Sequence, residues 1–149
     1  MSTQIRKLDA NEIELAQSVF AMMACVFEEG APSASREHVA ALLGRSDFIV
    51  IAGLFNGHPI AGLTAFVVPL TRSETAELFV YDIAVAPAYQ RQGVGRRLMQ
   101  EVRNIAAAAG LATTWVPAEN DDGHAIDFYR SIGGKPMAVT IFTFGEGHD

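Results

Sequence analysis

The spacing of apolar residues changes period several times along the chain, and each change marks an element. Gln4 to Leu8 reads as a short first strand. Asp9 followed by Glu12 is a capping-box pattern. The stripe behind it (Ile13, Ala16, Val19, Phe20, Met23, Val26 and Phe27) has the three- and four-residue spacing of one helix face and breaks at Gly30-Ala31-Pro32. A shorter helix is expected from about Ser35 to Leu43, closed by Gly44. Phe48 to Leu54 and Ile60 to Leu70 read as two strands of a hairpin turning at Asn56-Gly57. After a polar loop from Thr71 to Thr75, Glu77 to Val85 is mostly β-branched, aromatic or aliphatic, and Pro87 ends the run. From Val94 the period is helical again, with Val94, Leu98, Val102, Ile105 and Ala109 on one face and Gly110 at the end. Leu111 to Val116 reads as a fifth strand and about Asp122 to Ile132 as a last helix. Beyond the break Gly133-Gly134-Lys135-Pro136, Met137 to Phe144 reads as a closing strand. With no internal repeat and no low-complexity tract, residues 1–149 are expected to form a single domain of mixed α and β structure.

The segment from Tyr81 to Leu98 is a strand, a bend and a glycine-bearing turn that opens directly into a helix. The turn carries Gln90-x-x-Gly93-x-Gly95, framed by Arg91, Arg96 and Arg97. The first amides of a helix have no internal acceptor and lie at the positive end of its dipole. Glycine keeps Cβ atoms out of the way of a ligand, and arginines add charge-assisted bonds, so a diphosphate suits such a turn. The spacing is neither that of a dinucleotide fingerprint nor that of a P-loop. On the turn alone, a tight strand-to-helix connection with solvated arginines explains it equally well.

Composition narrows the classes. Half of the 149 residues are hydrophobic, yet no apolar run has the length of a membrane span. Met1 to Arg6 lacks the basic-then-apolar form of a secretory signal. Cys25 is the one cysteine, which precludes an intrachain disulfide and fits a reducing, cytoplasmic setting. Beside the apolar stripe it reads as a small buried side chain rather than a nucleophile. His38, His58, His124 and His148 show no metal-ligand spacing, so no metal is expected. A net charge of −6 argues against a nucleic-acid partner and suits a cationic substrate.

Gln90-Arg91-Gln92-Gly93-Val94-Gly95, preceded by Ile83-Ala84-Val85-x-Pro87, resembles the acetyl-coenzyme A signature of the GNAT superfamily of N-acetyltransferases. Asn120-Asp121-Asp122-Gly123-His124, followed by Phe128-Tyr129 and the helix-ending Gly133, resembles that superfamily's second signature. The resemblance implies a mixed, mostly antiparallel sheet splayed between strands four and five, with about four helices. It also implies acetyl-coenzyme A as cofactor, held by Ile83, Ala84, Val85, Arg91, Gln92, Gly93, Val94, Gly95, Arg96, Asn120, Phe128 and Tyr129. In such a site the pantetheine amides pair with the edge of the fourth strand like an added strand. Over roughly residues 19 to 144 the chain looks most like the small gentamicin-type aminoglycoside 3-N-acetyltransferases, with Phe27-Glu28-Glu29 at the loop that closes over the substrate. Gly134 and the tail Gly145-Glu146-Gly147-His148-Asp149 depart from that pattern. Relatives of this type commonly pair as dimers, so a homodimer is expected.

The implied reaction is attack by a neutral amine on a thioester, in one ternary complex and without a covalent enzyme intermediate. Tyr129 is the expected acid at the leaving thiolate. Asp82, a charge within an otherwise apolar strand, is the expected proton acceptor. Glu28, Glu29, Glu119, Asp121 and Asp122 would form an acidic rim for a polycation, with His124 nearby. One of Asp121 and Asp122 is expected to cap the last helix and leave the other free. The expected acceptor is the 3-amino group of an aminoglycoside, which would confer antibiotic resistance. A polyamine, an amino acid or a protein amine is an alternative acceptor, and a non-catalytic acyl-coenzyme A-binding module is the reading from another class.

Overall fold

The computed structural model describes residues 2–29 and 34–145. The loop residues 30–33, which include the expected break at Gly30-Ala31-Pro32, and the tail from Glu146 lie outside the described residues. The chain divides into two compact units, Met1–Pro117 and Ala118–Asp149.

The first unit is built on a five-stranded sheet in the order β1 (Thr3–Lys7), β2 (Phe48–Phe55), β3 (His58–Pro69), β4 (Ala76–Val85) and β5 (Thr114–Trp115). The first four strands are antiparallel, and β5 runs parallel to β4. Between them lie α1 (Ile13–Val26), α2 (Arg36–Leu43) and α3 (Val94–Ala108). The expected capping box does not start α1: Glu12 is itself the N-cap, with no side-chain cap bond, and its Oε2 accepts from the Asp9 amide at 2.7 Å and from Arg6 Nη1 at 2.9 Å. Ser35 caps α2 by accepting from the His38 amide at 3.1 Å.

Small residues set how closely a helix can lie on the sheet. Gly62 stands opposite Ala52 on one side and Ala84 on the other. A Cβ at Gly62 would lie 2.6 Å from Met23 Sδ and 2.7 Å from Val19 Cγ1, so α1 rests directly on this row. Ala16, Val19, Met23, Val39, Val50, Ala52, Leu54 and Ala84 form the buried cluster on that face. On the other face a Cβ at Gly53 would meet Ile5 and Val94, the first residue of α3. Gly62→Val is therefore expected to destabilise the fold by about 2–3 kcal/mol through overpacking. A thermal melt should show a loss of roughly 5–10 °C in Tm.

Three details differ from the pattern read along the chain. The buried face of α3 is Val94, Leu98, Met99, Val102 and Ala106, so the stripe tilts away from Ile105 and Ala109 toward Met99. Phe27 is exposed, because α1 ends at Val26, and Cys25 is exposed on the last turn, off the packed face. Finally, β5 is two residues long and not six. Its approach still bonds to β4, with the Leu78 amide donating to the Thr113 carbonyl and the Ala112 amide to the Ala76 carbonyl.

The second unit carries α4 (Gly123–Ser131). Asp122 caps it by accepting from the Ala125 amide at 3.1 Å. Gly133, at φ 98°, ends it, and the Gly134 amide donates to the Tyr129 carbonyl at 2.8 Å. The expected closing strand, Met137 to Phe144, is not formed: these residues carry no sheet ladder and are exposed. A run of β-forming residues makes a strand only where an edge donates and accepts along it.

Candidate active site

β4 is paired on one side throughout and on the other only at its start. Leu78 and Phe79 stand opposite Thr114 and Trp115, after which β5 ends while β4 continues to Val85. The backbone of Val80 to Val85 is thus free of a strand on that side among the described residues. Ile83, Ala84 and Val85 lie on this open edge. The Val85 carbonyl is already engaged, accepting from Gln90 Nε2 at 2.9 Å.

The edge bends at a bulge that nothing in the sequence announced. Thr64 pairs with Asp82 and Ala65 with Val80, so Tyr81 is an extra residue on β4. A bulge sharpens the local twist and re-aims the side chains beside it. Here they are Tyr81, which is 60% exposed, and Asp82, which is half-buried opposite the buried Thr64. Burial pushes the Asp82 carboxyl above the ordinary carboxylate value, and the nearby charge of Glu29 pushes it further. Of the expected acidic rim, the first unit therefore brings Glu29 within electrostatic reach of Asp82. Glu28 is exposed with φ at 58°, a left-handed conformation at the end of α1 that glycine would adopt more easily.

Tyr81 also joins an aromatic run absent from the sequence reading. Its ring meets Phe66 edge-on at 6.4 Å and Phe79 at 5.6 Å. Phe79 in turn stacks on Trp115 at 4.3 Å, at the point where β4 and β5 part. The density of aromatics in Phe79-Val80-Tyr81 was the available signal.

The glycine turn follows from Pro87–Tyr89, a single 3₁₀ turn. Arg91 and Gly93 both have left-handed backbone, at φ 61° and 83°, and Gln92 Nε2 donates to the Ala88 carbonyl at 3.1 Å. The two glutamine side chains thus pin the turn to the segment before it. Gly93 is the N-cap of α3, and no side chain caps the helix. The amides of Val94, Gly95 and Arg96 consequently have no intrahelical acceptor, and the first helical bond runs from the Arg97 amide to the Gly93 carbonyl. Arg91, Gln92, Arg96 and Arg97 are exposed around these donors, and space is open where a Gly93 Cβ would lie. An anionic group fits this cradle by charge and by bonding.

In the second unit Asn120, Asp121 and His124 are exposed, as is Glu119, whose carbonyl accepts from the Asp122 amide at 2.9 Å. Asp122 is the capping residue, which leaves the Asp121 carboxylate without that duty. Tyr129 packs against Phe128 at 5.2 Å between ring centres. Burial, with a smaller contribution from the charge of Asp122, pushes its phenol up to about 12. Among the described residues no group of His, Cys, Asp and Glu is arranged to hold a metal ion, and no helix is long and apolar enough to cross a membrane.

The model of the acetyltransferase (GNAT) family matches residues 16–133. Among curated proteins, the [ribosomal protein bS18]-alanine N-acetyltransferase of Escherichia coli strain K12 is 37% identical over 70 residues, a match covering 47% of each chain. The chain thus spans about half the length of the curated relatives it matches. Among solved structures, an aminoglycoside acetyltransferase from an uncultured soil metagenomic sample, in complex with sisomicin, superposes with a TM-score of 0.93 at 27% identity over 97% of both chains. An aminoglycoside N-acetyltransferase in complex with coenzyme A shares the fold, with a TM-score of 0.78 at 14% identity, over 98% of this chain and 96% of that one.

Proposed function

Because the chain belongs to the GNAT family of acetyltransferases, we propose that it moves the acetyl group of acetyl-coenzyme A to an amine of an aminoglycoside, at the 3-amino position, and so confers resistance to that antibiotic. The observation that carries the reading is the uncapped, glycine-bearing start of α3 beside a β4 edge that β5 leaves open, with a half-buried carboxylate at the bend. The solved neighbour that binds sisomicin supports the acceptor class.

The free amides of Val94, Gly95 and Arg96, with Arg91 and Gln92, hold the linked phosphates. The edge from Ile83 to Val85 receives the pantetheine amides, apart from the carbonyl that Gln90 occupies. Bound acetyl-coenzyme A supplies the thioester carbonyl that the amine attacks. Asp82 takes the amine's proton, directly or through a water, and its raised pKa makes it a better acceptor than an exposed carboxylate. Glu28 and Glu29 hold remaining ammonium groups of the acceptor. In the second unit Glu119, Asp121 and His124 are assigned toward the acceptor, and Asn120 and Phe128 toward the coenzyme. Tyr129 stays protonated and donates a hydrogen bond to the departing sulfur. Full transfer from a phenol at about 12 to a thiolate whose conjugate acid lies near ~8.5 would run uphill by roughly 5 kcal/mol. Stabilising the charge, and not neutralising it, is therefore the role its burial allows.

A second reading keeps the reaction and takes a protein N-terminal amine as acceptor, in keeping with the curated relative that acetylates a ribosomal-protein alanine. The deciding experiment incubates the protein with acetyl-coenzyme A and either gentamicin or an alanine-initiated peptide, then locates the added acetyl group by mass spectrometry. Acetylation of the peptide with none on gentamicin would reject the aminoglycoside reading.

The phosphate site has its own test. Gly93→Val places a branched side chain where space is now open and where the backbone is left-handed. We expect coenzyme A affinity to fall at least tenfold by calorimetry, with a strain cost to stability of about 1–2 kcal/mol. Unchanged affinity would move the diphosphate elsewhere.

A further inference from the structure

The first unit holds a groove that the transfer chemistry leaves unused. It is open, measures about 600 Å³, and lies between the start of β1 (Ser2 to Ile5), the β2–β3 turn at Asn56-Gly57 and Arg97 of α3. Sites for small organic ligands commonly fall in the range of about 300–1,000 Å³. Every residue lining it belongs to the first unit. Two contacts fix its position against the anion cradle. Ile5 and Val94 converge on Gly53, where a Cβ would lie 3.3 Å from one and 3.6 Å from the other. At the hairpin, Phe55 meets Tyr89 at 5.7 Å between ring centres, which ties the end of β2 to the residue just before Gln90.

The charge around this groove is unusual for the chain. The net charge is −6, yet Arg91, Arg96 and Arg97 stand within a single stretch of seven residues. None of the three is in an ion pair with a carboxylate among the described residues. Cations crowded at the positive end of a helix dipole cost free energy unless an anion is held there. Arg97 is the fourth residue of α3, and helical side chains lean toward the N-terminus. Its guanidinium is therefore carried back over the first turn, along the wall of the groove.

Coenzyme A has an anion to match. Beyond its linked phosphates it ends in an adenosine whose ribose bears a 3′-phosphate monoester, a group with a charge of about −1.5 to −2 at neutral pH. We infer that the groove receives this 3′-phosphorylated adenosine and that Arg97 pairs with its phosphate, so that the protein tells coenzyme A from its 3′-dephospho form. With the free amides and Arg91 engaged by the linked phosphates, Arg97 is the cation that lines the groove. Resting as it does on the coenzyme reading of the turn before α3, this placement adds which way the nucleotide end runs, toward β1 and the hairpin.

Calorimetry with coenzyme A and 3′-dephospho-coenzyme A, on the parent and on Arg97→Ala, forms a closed cycle. The parent should bind coenzyme A about tenfold more tightly than the dephospho form, as a charge-assisted pair allows. Arg97→Ala should lose that preference, weakening coenzyme A about tenfold and leaving the dephospho form within about twofold. Arg97→Lys keeps the charge without the fork and should recover part of it. The parent's preference should shrink as pH falls through about 6, where the monoester gains a proton. Amide resonances of Thr3 to Ile5 and of Asn56-Gly57 should move on titrating the parent with coenzyme A and stay still with pantetheine. Equal affinity of the parent for both forms overturns the inference and leaves the cradle standing. So does an Arg97→Ala protein that keeps the preference, or a coenzyme titration that leaves β1 and the hairpin unmoved. A parent that binds neither form overturns the coenzyme reading itself, and this placement with it.

Discussion

Asp82→Asn should lower acetyl transfer by about 10²–10⁴-fold, the range that a positioned proton acceptor contributes, while the folded protein becomes more stable at neutral pH. The two effects have one cause. Burial and the charge of Glu29 raise the Asp82 carboxyl in the folded chain, so the fold binds that proton more tightly than the unfolded chain does. Stability from this group is present below the ordinary carboxylate value. It declines as pH rises from that value through the raised one, and above it the ionised carboxylate is a standing cost. Asparagine has the same shape and carries no charge, so it removes the cost together with the proton acceptor. Denaturant unfolding at neutral and at acid pH checks the sign: the variant should gain on the parent at neutral pH and show no gain in acid. Activity in the parent should rise with pH through the raised carboxyl value and further as the acceptor's ammonium loses its proton. An Asp82→Asn protein that retains full turnover would assign proton removal to another group, with Glu29 the next to test.

Tyr129→Phe should reduce turnover about 10²-fold, as loss of one donor to a developing anion does, and should leave coenzyme A affinity within about twofold. The hydroxyl bonds strongly only to a sulfur that has gained charge, so its loss falls on kcat and not on ground-state binding. The phenol remains protonated until about pH 12. The alkaline limb of the parent's pH–rate profile should therefore show no decline from tyrosine ionisation within the working range. Stopped-flow release of free thiol, read beside calorimetric binding of coenzyme A, separates the two quantities. Equal losses in both would make Tyr129 a packing residue.

Much of the molecule was legible along the chain because local rules and global fold agree there. The cap at Ser35, the Asn56-Gly57 hairpin and the strand–turn–helix around Gly93 each rest on interactions a few residues apart, and each forms as read, as does the stripe of α1 up to Val26. The uncapped start of α3 and its flanking arginines follow from residues 90 to 97 alone. So does the capping of α4 by Asp122, where spacing left two candidates and the helix's own first turn selected one.

The remainder depended on what lies opposite. That Tyr81 is an extra residue, and that Asp82 consequently stands across from Thr64 near Glu29, is a matter of register between β3 and β4, which neither strand encodes alone. The length of β5 is decided by how far β4 stays beside it, and not by the six strand-forming residues from Leu111 to Val116. Met137 to Phe144 has the composition of a strand and no ladder, because a strand exists only with a partner to share its hydrogen bonds. Sequence by itself determined most of the elements, the glycine-bearing turn and the family resemblance, since these are set by local geometry and side-chain chemistry. Tertiary structure decided which edge stays open, which carboxylate is pushed up and which strand is left wanting a neighbour, because burial and pairing join residues far apart in the chain.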